Sequence, residues 1–453
     1  MTEQKDTICA ISTPPGVGGI AVIRVSGDDS IAITDTLWRG KRLANAASHS
    51  VHYGSIVDAQ GDVVDDCVAA VFRAPKSFTG ENVVELSVHG SVYVQKAVVG
   101  LLVEAGARLA EHGEFTRRAF AAGKMDLAQA EGVADLIASR SRAAHDIAIK
   151  QMKGRFSRRL AAMHDNLLEL ASLLELELDF SEEDVEFASR QKLHAQAVEL
   201  RDEIHRLAAS FDSGNAIKEG IPVAIIGPTN VGKSSLLNAL VGDDRAIVSD
   251  IHGTTRDLIE DTVNIGDFTF RFIDTAGIRD TDDRIEQLGI DRSRQAIGRA
   301  TILLHVIDAA NPQKADWLDS IADNQHLVAV INKTDVASAQ QAADMIPAGT
   351  TTVEVSARTS AGIDTLRDTL TGIAQSLLTD PGDIIVTNAR HRQALLNALP
   401  PIERVITGLT SNLSGDFIAQ DLREVLHHLG SITGTVTTTE ILTTIFSRFC
   451  IGK

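Results

Sequence analysis

The chain has 453 residues, which suggests about three domains, and its formal net charge of −18 argues against a protein that grips nucleic acid over a broad basic face. If RNA is a substrate, we expect another subunit to provide many of the contacts that bind it. Three cysteines are too few for a disulfide framework or a metal cluster, and the chain has neither a signal-peptide pattern nor an apolar stretch long enough to span a membrane, so we expect a cytoplasmic protein.

The first 122 residues alternate short apolar runs with glycine turns, which predicts an α/β domain. The runs that predict its strands are Gly19–Val25, Cys67–Phe72 and Val83–Val88, and a helix is predicted near Gln95–Ala105.

A helical region follows, because from Leu127 to about Phe211 the chain has no proline and its apolar residues recur at helical spacing. Helical patterns resume after about Pro381, at Ala389–Leu399 and Phe417–Leu429. We therefore predict one helical domain in two parts, residues 123–215 and 382–453, interrupted by an inserted domain over residues 216–381.

The inserted domain begins with a phosphate-binding loop of the G-x-x-x-x-G-K-S type, which follows the apolar run Ile221–Ile226 and precedes the helical stretch Leu236–Leu240. This order of strand, glycine-rich turn and helix is typical of a nucleotide site. Lys233 would reach the outer phosphates and contribute to catalysis, and Ser234 would ligate Mg²⁺. The predicted nucleotide contacts in the loop are Asn230, Val231, Gly232, Lys233, Ser234 and Ser235.

Four further motifs follow in the order of a guanine-nucleotide site. Asp335 would accept hydrogen bonds from N1–H and the 2-amino group of guanine, and adenine offers neither donor there. Thr255 is a candidate second Mg²⁺ ligand, Asp274 would hold Mg²⁺ through water, and the N–H of Gly277 would contact the γ-phosphate. The predicted contacts in these motifs are Gly253, Thr254, Thr255, Asp274, Thr275, Ala276, Gly277, Asn332, Lys333, Asp335, Ser356, Ala357 and Arg358.

Five motifs in this order predict a GTPase domain. The fold class is therefore multidomain α/β plus α, with an N-terminal α/β domain, a discontinuous helical domain and an inserted Ras-like P-loop GTPase domain. Ras-type GTPases orient the attacking water with a glutamine after the third motif, but here that position is Ile278. The segment Arg279–Glu286 is rich in carboxylates, any of which could bridge to the water, and a solvated switch loop explains this composition equally well.

The C-terminal stretch Ile441–Phe449 predicts an amphipathic helix, which is followed by Cys450, the fourth residue from the end. Three interpretations of Cys450 stay open. It could be a buried inert thiol, a prenylation site, which the neighbouring sequence fits poorly, or a reactive thiol whose neighbours Arg448 and Lys453 favour the thiolate.

Across essentially its whole length the chain resembles the MnmE (TrmE) family of tRNA-modification GTPases. The closing motif is the most specific part, because other GTPases with similar G domains lack it. Besides the five GTPase motifs, the resemblance rests on Asp6–Ile8, Thr13–Gly19, Ser77–Asn82, Gly113–Phe120, Gly123–Leu127, Thr387–His391 and Phe449–Lys453.

This resemblance implies a homodimeric enzyme that forms a heterotetramer with an MnmG-type flavoprotein carrying FAD. Together they would add a carboxymethylaminomethyl or aminomethyl group to C5 of the wobble uridine of certain tRNAs. The N-terminal domain would be folate-binding-like, mediating dimerisation and binding 5-formyl- or methylene-tetrahydrofolate, with Cys450 as a catalytic residue. The implied folate contacts are Arg24, Glu85, Lys124 and Lys453.

The resemblance also implies GTP hydrolysis activated by K⁺ and by dimerisation of the G domains, without an arginine finger. Glu286 would be the carboxylate that bridges to the attacking water, and Asp250 and His252 would be further GTP contacts. The implied K⁺ ligands are the side chain of Asn230 and main-chain oxygens of Ser249, Ile251 and Thr254.

A regulatory GTPase of ribosome assembly, without covalent chemistry, is the alternative, because its GTPase motifs would look the same. Such proteins usually append a basic RNA-binding module, whereas this chain is acidic and ends in a cysteine motif. We therefore expect this chain to be a tRNA-modifying enzyme and not a GTPase of ribosome assembly.

Overall fold

The computed structural model describes residues 6–179, 190–242, 261–273, 296–313, 321–322, 325–378, 384–411, 413–447 and 449–452. The chain divides into two compact units. The first comprises Met1–Ala134, Gln151–Asp165 and Leu429–Lys453, and the second comprises Asp135–Lys150 and Asn166–His428. The domain boundaries expected from the sequence stay a prediction.

The first unit contains a seven-stranded sheet. Its strands are β1 (Ile8–Ile11), β2 (Ile20–Ser26), β3 (Trp38–Gly40), β4 (Ser50–Val57), β5 (Val63–Phe72), β6 (Val83–His89) and β7 (Arg108–Leu109). They lie in the order β3-β4-β5-β6-β2-β1-β7 and are antiparallel except for β1 and β7. Helices α1 (Ser30–Leu37) and α2 (Val92–Glu104) supply apolar side chains to a core with one face of the sheet. The α/β pattern predicted for this part of the chain is confirmed.

Six helices come next in the part of the chain that the structure describes. They are α3 (Glu114–Ala121), α4 (Leu127–Ala138), α5 (Arg142–Met152), α6 (Arg155–Asp179), α7 (Arg190–Ala209) and α8 (Phe211–Glu219). The helical pattern in the sequence is therefore confirmed for the described residues of this region.

The second unit contains a mostly parallel sheet built from buried apolar strands. Its strands are β8 (Ile221–Ile226), β9 (Asp261–Ile265), β10 (Phe268–Ile273), β11 (Ile302–Asp308), β12 (His326–Asn332) and β13 (Thr351–Glu354), in the order β13-β12-β11-β8-β10-β9. All neighbouring pairs are parallel except β9 with β10. Helices α9 (Lys233–Val241), α10 (Gln340–Ala343) and α11 (Ile363–Leu377) follow β8, β12 and β13. This is the α/β arrangement predicted for a GTPase domain.

Three helices close the chain: α12 (Ala389–Thr410), α13 (Gly415–Thr433) and α14 (Thr439–Phe446). Helix α12 is longer than predicted, because it continues through Pro400 and Pro401 and packs along α7. Burial of Pro401 and Ile402 offsets the missing N–H groups of the two prolines. Within the described ranges, no helix is both long and apolar enough to cross a membrane.

Candidate nucleotide site and C-terminal tail

Three neighbouring parallel strands end at the same edge of the second sheet. Strand β8 leads into the phosphate loop, β11 ends at Asp308, and β12 ends at Asn332. Ligands of open parallel sheets bind at the carboxyl ends of the strands. The predicted phosphate loop and the predicted base motif therefore lie side by side.

The backbone of the phosphate loop is wound tightly before α9 begins at Lys233. Asn230 has a φ of +63° and Gly232 a φ of +95°, both in the left-handed region. A Cβ at Gly232 would lie 2.4 Å from Nδ2 of Asn332, so only glycine fits against the base motif. The following helix start offers main-chain N–H groups to an anion, and this fits the polyphosphate of a nucleotide.

Lys233 lies against its own loop. Its ammonium donates hydrogen bonds of 2.7 Å to the carbonyl oxygens of both Gly227 and Pro228. Burial lowers the pKa of Lys233 from its usual value. The next residue, Ser234, contributes a hydroxyl oxygen, the kind of hard ligand that Mg²⁺ prefers. The donor set of the loop thus suits a phosphate group and its magnesium ion.

The base motif is tied directly to the phosphate loop. Asn332, whose exposed fraction is 2%, donates from Nδ2 to the carbonyl oxygen of Val231 at 2.8 Å and accepts from the N–H of Ala357 at 3.0 Å. Lys333 donates from Nζ to the carbonyl oxygen of Asn230 at 2.7 Å. Two consecutive side chains of one motif therefore hold two consecutive carbonyl groups of the other.

Asp335 is held as an ionised acceptor beside them. The hydroxyl of Ser356 donates to Oδ1 at 2.7 Å, and the guanidinium of Arg358 lies 2.5 Å from Oδ2. The hydrogen bond from Ser356 and the charge of Arg358 together lower the pKa of Asp335. A carboxylate in this state can accept hydrogen bonds from two N–H donors on one edge of a base, which is the chemistry expected for guanine.

Several predicted site residues fall outside the described residues, and their roles stay predictions. They are Ser249, Asp250, Ile251, His252, Gly253, Thr254, Thr255, Asp274, Thr275, Ala276, Gly277, Glu286 and Lys453.

In the first unit, two of the implied folate residues lie directly opposite each other on β2 and β6. Arg24 donates from Nε to Oε1 of Glu85 at 2.9 Å. Its guanidinium lies 5.3 Å from the ring centroid of Phe78 and 5.5 Å from that of Phe115. Lys124 donates to the carbonyl oxygen of Pro75, three residues before Phe78. One loop thus contacts both Arg24 and Lys124.

The C-terminal tail is anchored to this unit through its main-chain oxygens. His112 donates from Nδ1 to the carbonyl oxygen of Phe449 at 3.0 Å, and the N–H of Gly113 donates to that of Cys450 at 3.4 Å. The carbonyl oxygen of Gly452 accepts from Ser12 Oγ at 3.1 Å and from Arg24 at 3.5 Å. The tail therefore reaches the Arg24–Glu85 pair.

The side chain of Cys450 is exposed, so the buried inert thiol is excluded. Gly452 has a φ of +101°, and a Cβ there would lie 2.3 Å from the carbonyl oxygen of Ile11. Only glycine fits where the tail passes β1.

Three residues that contact these sites were not identified from the sequence: Asp308, Ser12 and His112. Asp308 accepts from Lys333 Nζ at 2.7 Å. Recognition of β11 as a strand would have placed Asp308 at the edge where the motifs meet. For Ser12 and His112 no sequence signal existed, because their partners lie more than three hundred residues away along the chain.

Models of known families match two parts of the chain: the N-terminus of GTP-binding protein TrmE at residues 7–124 and the MnmE helical domain at residues 127–450. The chain is 51% identical over 459 residues to tRNA modification GTPase MnmE of Parabacteroides distasonis, covering 99% of this chain and 100% of the relative. It is 48% identical over 465 residues to the protein of the same name from Bacteroides fragilis, with the same coverage. Among solved structures, the G domain of the T. maritima FeoB iron transporter is 24% identical to this chain. The match covers 34% of this chain and 99% of that domain, with a TM-score of 0.26.

Proposed function

Since this chain belongs to the MnmE family of tRNA modification GTPases, we propose that the edge formed by β8, β11 and β12 is where it binds and hydrolyses GTP. The chain is a tRNA-modifying GTPase. The observation that carries the assignment of the site is the pair of hydrogen bonds from Asn332 and Lys333 to the phosphate loop, since they bring a base-reading motif and a phosphate cradle together.

In this proposal three residues of the phosphate loop bind different parts of the nucleotide and its cations. Lys233 exchanges its two carbonyl partners for the β- and γ-phosphates, Ser234 ligates Mg²⁺, and the side chain of Asn230 ligates K⁺. When bound, the two cations place positive charge where negative charge develops as the γ-phosphate is transferred. Glu286 holds the attacking water, in the place of the glutamine that Ile278 replaces.

Guanine is recognised by Asp335, which Ser356 and Arg358 hold in its ionised form. ATP is rejected because adenine presents no pair of N–H donors to this carboxylate. The remaining contacts with GTP come from residues 249–255 and 274–277.

For the first unit we propose a one-carbon site. Arg24, Glu85, Lys124 and Lys453 bind 5-formyl- or methylene-tetrahydrofolate, in which basic groups suit the carboxylates of the folate and a glutamate suits the pterin edge. The anchored tail presents the exposed thiol of Cys450 in the same unit as Arg24 and Glu85. Residues 1–122 form the dimerisation domain. A flavoprotein of the MnmG type carries FAD and provides much of the surface that binds tRNA.

The product is a carboxymethylaminomethyl or aminomethyl group on C5 of the wobble uridine. Nucleoside analysis of tRNA tests this in cytoplasmic extracts of cells lacking the protein, with and without a plasmid copy. We expect the modified uridine to vanish in the deletion strain and to return with the plasmid. Unchanged tRNA together with a defect in ribosome assembly would favour the regulatory GTPase instead.

The cation and water roles have their own test in steady-state GTP hydrolysis. We expect slower hydrolysis when K⁺ is replaced by Na⁺, and normal GTP binding with hydrolysis lost in Glu286→Ala. Equal rates in the two salts would remove Asn230 from its role, and an unaffected Glu286→Ala variant would point to another carboxylate in the segment Arg279–Glu286.

A further inference from the structure

We propose that Asp308 is a positioning residue of the nucleotide site, which acts by orienting Lys333 so that Lys333 can hold the phosphate loop. The inference rests on the proposed nucleotide site and adds to it a residue that lies outside the five GTPase motifs.

The position of Asp308 is set by the sheet. It is the last residue of β11 and lies opposite Asn332, the last residue of β12, and the N–H of Ala309 donates to the carbonyl oxygen of Asn332 at 2.9 Å. The register of two buried parallel strands therefore places the carboxylate next to the base motif.

The carboxylate of Asp308 is held from two sides. Its side chain is only 14% exposed, and Oδ1 accepts from the N–H of Ala310 at 2.9 Å, while Oδ2 accepts from Nζ of Lys333 at 2.7 Å. Partial burial alone would raise the pKa of Asp308, but these hydrogen bonds and the charge of Lys333 lower it below the usual value. Asp308 is thus an ionised partner for the ammonium group, with a hydrogen bond at each of its two oxygens.

Lys333 passes this constraint on to the phosphate loop. The same Nζ atom donates to the carbonyl oxygen of Asn230 at 2.7 Å. Asn230 and Lys333 both have left-handed backbone conformations, with φ of +63° and +65°, which non-glycine residues adopt only where their surroundings hold them. Asp308, Lys333 and Asn230 form one chain of contacts from the sheet edge to the loop.

The role predicts a specific loss on mutation. In Asp308→Asn the side chain keeps its size but loses its charge and one of its two acceptor oxygens. It can therefore no longer accept from both Ala310 and Lys333, the ion pair with Lys333 is lost, and Lys333 samples other rotamers. We expect the Kd for GDP to rise by about fivefold to tenfold, since Lys333 loses the ion pair that orients it towards the phosphate loop. The matched control is Asp364→Asn, which removes the same charge from a 94% exposed side chain paired with Arg367 on α11, and its Kd should stay within about twofold of the wild-type value.

A double-mutant cycle distinguishes positioning from a general loss of structure. The Kd of a fluorescent GDP analogue is measured by titration of the full chain with and without Asp308→Asn, in the wild-type and in the Lys333→Met background. If Asp308 acts through Lys333, Asp308→Asn costs nothing further in the Lys333→Met background. An equal factor in both backgrounds, or a Kd within about twofold of wild type for Asp308→Asn alone, overturns the proposal.

A folding defect is checked by thermal unfolding without nucleotide. Should Asp308→Asn unfold at a lower temperature than Asp364→Asn, the cycle is repeated with Asp308→Glu, which keeps the carboxylate. We expect Asp308→Glu to recover most of the affinity, and a loss as large as that of Asp308→Asn would overturn the proposal. A wild-type chain that binds ADP as tightly as GDP would instead overturn the proposed nucleotide site itself.

Discussion

The side-chain amide of Asn332 donates a buried hydrogen bond of 2.8 Å to the carbonyl oxygen of Val231, 101 residues earlier in the chain. The same amide accepts from the N–H of Ala357. One buried side chain therefore joins the phosphate loop, the base motif and the loop after β13. The three segments are expected to respond together when that side chain is removed.

Asn332→Ala is expected to leave the buried carbonyl of Val231 and the partly buried N–H of Ala357 without these bonds. Leaving a buried polar group unpaired lowers the free energy of unfolding by about 2 kcal/mol. The Kd for GDP should rise by at least about tenfold, since the loop and the base motif lose their common support. Titration with a fluorescent GDP analogue measures this. Asn397→Ala removes an exposed amide that accepts from Gln393 on α12, and it should bind GDP normally. Equal affinity in the two variants would contradict the linking role of Asn332.

Asp335→Asn is expected to change the preferred base. An amide has one acceptor and one donor edge, so it no longer suits the two N–H donors of guanine but suits the N–H and carbonyl edge of xanthine. We expect GDP affinity to fall by at least about a hundredfold and xanthosine diphosphate to become the tighter ligand. Competition between the two nucleotides measures the preference. A variant that still prefers GDP would show that Asp335 does not read the base.

The three cysteines are expected to differ sharply in reactivity. Burial raises the pKa of Cys9 to about 11, and burial with the charges of Asp65 and Asp66 raises that of Cys67 to about 12. At pH 8 their thiolate fractions are about one in a thousand and one in ten thousand, whereas Cys450 is exposed. A short iodoacetamide pulse followed by peptide mass spectrometry should therefore find the label on Cys450, and on all three after denaturation. Equal labelling of Cys9 in the native protein would contradict this prediction.

His305 is expected to make the GTPase unit acid-sensitive. It lies in β11 with 5% of its surface exposed, and burial lowers its pKa to about 4, below the 6.5 of an unburied histidine. Between these two values the unfolded chain binds a proton that the folded chain excludes, so the free energy of unfolding falls by about 1.4 kcal/mol for each pH unit below 6.5, to a total of about 3 kcal/mol at pH 4.

Thermal unfolding is measured at pH 7, 6 and 5. The transition to follow is the one whose unfolding temperature rises on addition of GDP, because bound GDP stabilises the nucleotide-binding unit. His305→Gln should flatten the dependence on pH, and His326→Gln, on the neighbouring strand, should leave it as in the wild type. The same slope in His305→Gln and the wild type would assign the acid sensitivity to other groups.

The sequence predicted the parts of the fold in which local pattern and tertiary burial agree. Strand β8 falls at Ile221–Ile226, as expected, because buried parallel strands appear as unbroken apolar runs. Helix α12 was predicted to end before Pro400, yet it continues because its far side packs along α7, and that contact is invisible in the local sequence.

The same distinction applies to the sites. Asn332, Lys333 and Asp335 were found from their motif, since the motif carries the chemistry within four residues. His112 acts through a single contact with a partner 337 residues away, so only the folded chain identifies it, whereas Asp308 would have needed the recognition of β11 as a strand. Residues of this kind set the geometry of a site without leaving a recognisable spacing in the sequence.

The exposed thiol of Cys450 in the C-terminal tail is expected to serve tRNA modification and not GTP hydrolysis. Cys450→Ser is expected to abolish wobble-uridine modification while GTP hydrolysis stays intact, because Cys450 lies in the first unit and the proposed GTP site in the second. Ser447→Ala, an exposed change just after α14, should support normal modification. Ser12→Ala removes a hydrogen bond to the carbonyl oxygen of Gly452 but leaves the thiol in place, so modification should fall partially, with the GTPase rate unchanged. Nucleoside analysis and a GTPase assay on the same four proteins, wild type included, test all of this. Full modification by Cys450→Ser would show that the thiol takes no part in the mechanism. If Cys450→Ser loses the modification but Ser12→Ala keeps it in full, the thiol is needed and the hydrogen bond from Ser12 to the tail is not.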